Sequence, residues 1–123
     1  MKPIVVTLSW PNPILSPNSR VHWRPKHKAF QAAKREAFYA TMINKHHHIF
    51  SGPAKVHWTF YPPDRRRRDE SNMLASTKAF EDGISMAIGV DDSQFRVSHS
   101  VAEPVPPHGR VEVEITSAEA MAA

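Results

Sequence analysis

The chain has no cysteine. That excludes a disulfide framework, thiolate zinc sites and a cysteine nucleophile, and it fits a reducing cytoplasm. Only four of the 123 residues are glycine, and they form neither a phosphate-cradling P-loop nor a dinucleotide fingerprint, so no nucleotide cofactor is expected. No apolar run approaches the roughly 18–20 residues of a membrane span. The short apolar stretch Ile4–Leu8 is soon broken by Trp10-Pro11, so neither a signal peptide nor a membrane partner is expected. Acidic residues are scarce over most of the chain. Residues 1–78 hold 14 Lys/Arg against 4 Asp/Glu, whereas residues 79–123 hold 2 against 8. The net charge of +4 therefore conceals a strongly basic part, which suits a polyanionic partner such as nucleic acid.

Hydrophobic residues make up 41% of the chain and charged residues 23%. This is enough apolar material for one small core, and residues 1–123 are expected to form a single domain. Ile4, Val6 and Leu8 alternate as in a short strand, and a proline-rich loop follows from Trp10 to Trp23. Residues 26–44 have helical spacing: Phe30, Ala33, Ala37 and Thr41 form a stripe that Phe38 and Met42 widen. Lys55–Tyr61 alternates cleanly, with Val56, Trp58 and Phe60 on one face. A second helix is expected over 72–88, with Met73, Thr77, Phe80, Ile84 and Ala87 inward and Gly89 closing it. Phe95–Val101 and a run containing Val111, Val113 and Ile115 read as two last strands, expected to form a hairpin, with a frayed tail over 117–123. The order β-α-β-α-β-β predicts an α+β fold: one mixed sheet of about four strands with two helices packed on it.

The densest chemistry lies at Arg65-Arg66-Arg67-Arg68-Asp69-Glu70-Ser71-Asn72. Arginine forks bind phosphate, and a helix N-terminus favours anions. Carboxylates beside a phosphate site repel the ligand unless a divalent cation bridges them. The same residues also read as a solvated loop in which Asp69 or Ser71 caps the helix. On one ideal helix Ser71, Ala75, Lys78 and Asp82 share a face. Lys78 there either meets a phosphate or simply pairs with Asp82. A second basic region contains Arg20, Arg24, Lys26, Lys28, Lys34, Arg35 and Lys45, and suits contact with a DNA backbone. Trp23 within it is expected to pack its loop onto the core. His46-His47-His48 is not expected to hold a metal, because adjacent side chains cannot all aim at one ion.

Three blocks together resemble the RusA family of Holliday-junction resolvases, in particular its prophage-borne members. The first is Leu8-Ser9-Trp10-Pro11 with Ser16-Pro17-Asn18-Ser19-Arg20. The second is the arginine run followed by Asp69-Glu70-Ser71-Asn72. The third is Lys78-Ala79-Phe80-Glu81-Asp82-Gly83 through Asp91-Asp92-Ser93. The resemblance covers residues 5–115. It implies a cytoplasmic, homodimeric endodeoxyribonuclease that uses Mg²⁺ (or Mn²⁺) to cut four-way junction DNA during recombination and repair. Carried over by position, Asp69 and Asp92, with Asp91 as a further acid, would be the metal-binding and catalytic carboxylates, and Lys78 the functional lysine. Arg20, Arg24, Lys26, Lys28 and Arg65, Arg66, Arg67 and Arg68 would hold the DNA. The family's second acid in Asp-x-Asp-Asn falls here on Ser71, a degraded ligand position. Glu70 replacing it, Ser71 holding a metal-bound water, and junction binding without cleavage all remain open at this point.

Overall fold

The computed structural model describes residues 2–118. The strands are β1 (Ile4–Leu8), β2 (Ala54–Tyr61), β3 (Phe95–Val101) and β4 (Arg110–Ser117). The helices are α1 (Trp23–Lys45), α2 (Glu70–Ala75) and α3 (Lys78–Ile88). Alternation decides the strands' faces. In β1, β2 and β4 every second side chain is buried, because successive side chains of a strand point to opposite sides. Ile4, Val6, Leu8, Val56, Trp58, Phe60, Val111, Val113 and Ile115 thus share one apolar face. That face meets Ala33 and Ala37 of α1 and Phe80 and Ile84 of α3. Trp58 stacks on Phe80 with centroids 6.5 Å apart. Burying each such large side chain contributes about 1.5–3 kcal/mol. The protein is a single small α+β domain with a mixed four-stranded sheet.

The sheet order is β1-β4-β2-β3, and this corrects the expected hairpin. β4 lies antiparallel between β1 and β2, while β3 runs parallel to β2 at the edge. Burial explains the exchange. Val111, Val113 and Ile115 are fully buried and need covered neighbours on both sides. β3 carries Arg96, Ser98 and Ser100 on one face and stays largely exposed, as an edge strand tolerates. The connection over 102–109 must therefore cross the end of β2. It is held there by Ala102 N–H to Phe60 O and Val105 N–H to Pro62 O, both 2.8 Å. Gly109 allows the close approach: its φ is +67°, and a Cβ would lie 2.6 Å from Tyr61 O.

The expected helix over 72–88 is two helices. Ser76 and Thr77 separate them by turning their hydroxyls onto the preceding backbone, Ser76 Oγ donating to Asn72 O (2.8 Å) and Thr77 Oγ1 to Leu74 O (2.6 Å). The inward stripe survives the break, since Met73, Thr77, Phe80, Ile84 and Ala87 are all buried. Ser71 and Lys78, however, no longer share one helix face. Gly89 does close α3, in the left-handed conformation at φ +72°. α1 starts three residues before its expected beginning, with His22 as cap. Met42 does not widen the buried stripe of α1, being 42% exposed. Of the supposed tail, Ser117 belongs to β4 and Ala118 is buried, its N–H bonded to Pro53 O. Residues 119–123 lie outside the described residues. Among the described residues no helix is long and apolar enough to cross a membrane.

Candidate functional site

The segment leading into α2 is folded around Asp64. Its carboxylate accepts the Arg66 N–H (2.9 Å) and pairs with the guanidinium groups of Arg66 (3.3 Å) and Arg68 (2.9 Å). The Arg66 N–H, then Arg68 and Arg66 as charges, hold the Asp64 carboxyl below the usual range. Arg68 also donates to the carbonyls of Asp64 and Arg66, both 3.1 Å, and its guanidinium lies 5.5 Å from the Trp10 ring centroid. Only 18% of its side chain is exposed. Arg65 reaches Glu103 across the surface (3.1 Å), an exposed pair worth little. Arg67 is exposed and makes no ion pair among the described residues. The four arginines thus divide between fold and surface.

Trp10 and this segment face each other across an open cleft of about 400 Å³, whose lining includes Trp10, Pro13, Phe60, Arg66, Arg67 and Asp69. The first two sequence blocks therefore meet in space. Ser9, beside Trp10, donates through its N–H and hydroxyl to the Glu36 carboxylate (2.8 and 2.7 Å). Glu36, the lone acid among the bases of residues 20–45, thus anchors α1 to the end of β1. Asp69 is the N-cap of α2: one carboxylate oxygen accepts the Asn72 N–H (3.1 Å) and the Ser71 hydroxyl (2.6 Å). The Ser71 hydroxyl first, and the Asn72 N–H next, hold its pKa low.

The third block forms a separate centre. The chain reverses at Gly89, where the Ser85 hydroxyl donates to Val90 O (2.6 Å), and runs back toward the start of α3. There the Lys78 ammonium contacts the Asp92 carboxylate and lies 3.3 Å from Asp82 Oδ1 and 3.8 Å from Glu81 Oε1. Asp92 is the main reason the lysine's pKa is raised. Burial pushes the Glu81 carboxyl up, against the pull of Lys78. Asp91 instead caps the turn over 92–94, accepting from the Ser93 hydroxyl and N–H, which lower its pKa in that order. Glu70 lies 3.0 Å from Nε2 of His99 on β3.

Lys78 and Asp92 are thus brought together, as are Arg66, Arg67 and Asp69. Asp69, Asp91 and Asp92 each hold a different partner. Among the described residues no three His, Asp or Glu side chains are grouped so as to hold a metal ion. A divalent cation needs several oxygen ligands around one point, and the donor set implied by the resemblance does not fit one here: one oxygen of Asp69 is taken by Ser71, and Asp92 by Lys78. Glu81 and Asp64 were not singled out from sequence. Their signals were present, Glu81 lying three residues after Lys78 on a helix and Asp64 opening the arginine run.

The second basic region is open. Arg24, Lys28 and Arg35, at i, i+4 and i+11 of α1, form an exposed row. No ion pair among the described residues involves Arg20, Arg24, Lys26 or Lys28. Trp23 does not pack on the core. It is 64% exposed and is flanked by Arg24 and His27, because the helix starts early and places it on the outer first turn.

Asp64, Asp69 and Asp91 share one linkage sign. Their folded pKa values lie below the ordinary 3.8. They contribute stability that is present above that value and lost as pH falls through the depressed ones. The urea midpoint is expected to fall steadily below about pH 4. Asp69→Asn keeps the cap and removes its share of that slope; a midpoint unchanged down to pH 2 would contradict these pairings.

No family model matches the chain. A protein of Xylella fastidiosa strain Temecula1, described as uncharacterized, is 39% identical over 119 residues, spanning 90% of this chain and 74% of the relative. At that identity and coverage, the chain belongs to one family with the Xylella protein.

Proposed function

We propose that the protein is a RusA-like DNA-structure protein of the cytoplasm, which binds four-way junction DNA as a homodimer. The observation that carries this reading is the meeting of Trp10 with Arg66, Arg67 and Asp69 in one cleft, beside a domain whose exposed first helix adds Arg24, Lys28 and Arg35. Arg67 has no ion pair among the described residues and Arg66 only an exposed one with Asp64, so both guanidinium groups are available for phosphate oxygens. Trp10 offers an aromatic wall beside them, and the exposed Trp23 offers a ring for stacking on an unpaired base. Such contacts recognise backbone path and shape rather than sequence. Two like subunits match the two-fold character of a four-way junction.

Cleavage is the second reading: a Mg²⁺- or Mn²⁺-dependent endodeoxyribonuclease that resolves junctions in recombination and repair. The contact between Lys78 and Asp92 favours it, since these residues match the family's functional lysine and later acid. Binding comes first because, among the described residues, Asp69 is engaged by Ser71 and Asp92 by Lys78 rather than grouped as metal ligands. Gel-shift assays in EDTA should find the four-way junction bound at least about tenfold more tightly than linear duplex of the same sequence. Equal affinities would reduce the protein to a general basic nucleic-acid binder. With Mg²⁺ or Mn²⁺ added, Ser71→Asp is expected to raise cleavage at least about tenfold over wild type, because it places a carboxylate where a hydroxyl now occupies Asp69. No product from either form leaves the binding reading alone, and vigorous wild-type cleavage abolished by Asp69→Asn would put the nuclease reading first.

A further inference from the structure

The cleft beside Trp10 combines two kinds of surface. Part of its lining is apolar: Phe60 is fully buried, Met73 nearly so, and Trp10 meets Phe60 edge to face with centroids 6.0 Å apart. Trp10 is a fixed wall, since the Arg68 guanidinium lies over its ring. The rest of the lining includes the exposed Arg66 and Arg67. Asp69 is there too, but its carboxylate already accepts the Ser71 hydroxyl and the Asn72 N–H, and two guanidinium groups outweigh its charge. The lining also contains Asn72, half-buried. Its backbone N–H and carbonyl are engaged, while its carboxamide makes no hydrogen bond among the described residues. That group offers two N–H donors and an acceptor. Apolar walls with a few unpaired polar groups are the usual make-up of a small-ligand site.

We infer that the cleft is a pocket for one unpaired nucleotide of a DNA strand: the base lies against Trp10 with its edge on the Asn72 carboxamide, and the flanking phosphates meet Arg66 and Arg67. The volume of about 400 Å³ lies near the lower end of the roughly 300–1,000 Å³ of small-ligand sites. It has room for one base with its sugar and none for a base pair. The apolar lining suits the faces of a base, the amide suits its donor and acceptor edge, and the guanidinium groups complement the charge of the backbone. A strand supplies a phosphate on each side of the base, which matches two arginines better than the single phosphate of a free nucleotide. Unpaired bases enter such a pocket most cheaply, because they have no pairing to lose. The assignment deepens the proposed function and rests on it only for the source of the nucleotide.

The test titrates the ¹⁵N-labelled full chain in EDTA with the 5′-phosphorylated dinucleotide d(pApA), with the same sugar-phosphate backbone lacking both bases, and with dAMP. The signals read are the Trp10 indole N–H and the Asn72 side-chain NH₂. The dinucleotide is expected to shift both saturably, with the base-free backbone at least about fivefold weaker and dAMP at least about threefold weaker. Asn72→Leu should weaken the dinucleotide about tenfold and leave the base-free backbone unchanged. Asn72→Ala serves the same purpose if the leucine variant does not fold. Shifts confined to the exposed Trp23 indole, or equal binding with and without bases, would overturn the inference. So would dAMP binding as tightly as the dinucleotide, because the pocket would then take a free nucleotide. The dinucleotide contains no junction, so the gel shift of junction against duplex reports separately on the proposed function. Junction-selective binding with unmoved Trp10 and Asn72 signals would refute the pocket alone.

Discussion

Replacing Gly83 by alanine is expected to destabilise the protein by about 3 kcal/mol, the upper range for overpacking. Gly83 lies in the middle of α3 where it crosses α1. A Cβ there would sit 2.2 Å from Lys34 O, 2.9 Å from Phe38 N and 3.0 Å from Ala37 Cβ. The first two are backbone atoms within a helix, so neither can swing aside. The helices must move apart, and that opens the packing of Ala33, Ala37, Phe80 and Ile84. Alanine's better helix propensity returns only about 0.5–1 kcal/mol. Urea unfolding should show a lower midpoint with an unchanged slope, and the Tm should fall by roughly 10 °C. A loss below about 0.5 kcal/mol would mean that the two helices do not approach this closely. Because α3 also carries Lys78, Glu81 and Asp82, this contact sets where the acid centre stands relative to the arginine segment.

The arginine run should split under mutation. Arg66→Ala with Arg67→Ala removes two exposed guanidinium groups from the cleft rim. Junction affinity is expected to fall about 10–100-fold at low salt, and the dependence of log K on log salt to lose about two units of slope. The fold should persist, since Arg67 has no ion pair among the described residues and Arg66 only the exposed one with Asp64. Arg68→Ala should do the reverse. It breaks the 2.9 Å pair with Asp64, two bonds to carbonyls and the contact with Trp10, so it should cost about 1–2 kcal/mol of stability. Its loss of affinity should then follow the disordering of the loop. If Arg68→Ala instead leaves stability intact and changes the salt slope by about one unit, Arg68 is a phosphate contact rather than part of the fold.

Four adjacent arginines look alike in sequence, and only their neighbours distinguish them. Asp64 takes one inward, Glu103 draws one across the surface, and Arg67 is left facing solvent. Lys78 shows the same limit. Its i+4 partner Asp82 was legible from helical spacing, but Asp92 reaches it only because the left-handed Gly89 turns the chain back and Ser85 holds the turn through Val90. Ser76 and Thr77 were compatible with a continuous helix by period. Their hydroxyls compete for the backbone carbonyls, a preference that apolar spacing does not record. Trp23 departs from expectation for a related reason: aromatic area predicts burial on average, whereas its position on the outer turn of α1 decides the case.

The sequence by itself determined six elements in their order, with α2 and α3 as one helix, the buried face of each central strand, the closing role of Gly89 and the basic character of the first 78 residues. These depend on side-chain period and on the backbone preferences of single residues, which act over a few positions. Tertiary structure alone decided that β4 separates β1 from β2, that β3 is an edge, and that Asp92 meets Lys78 while Asp69 is engaged by Ser71. Those outcomes depend on which distant surface can bury an apolar face and which distant group can neutralise a charge. Local spacing carries no record of either.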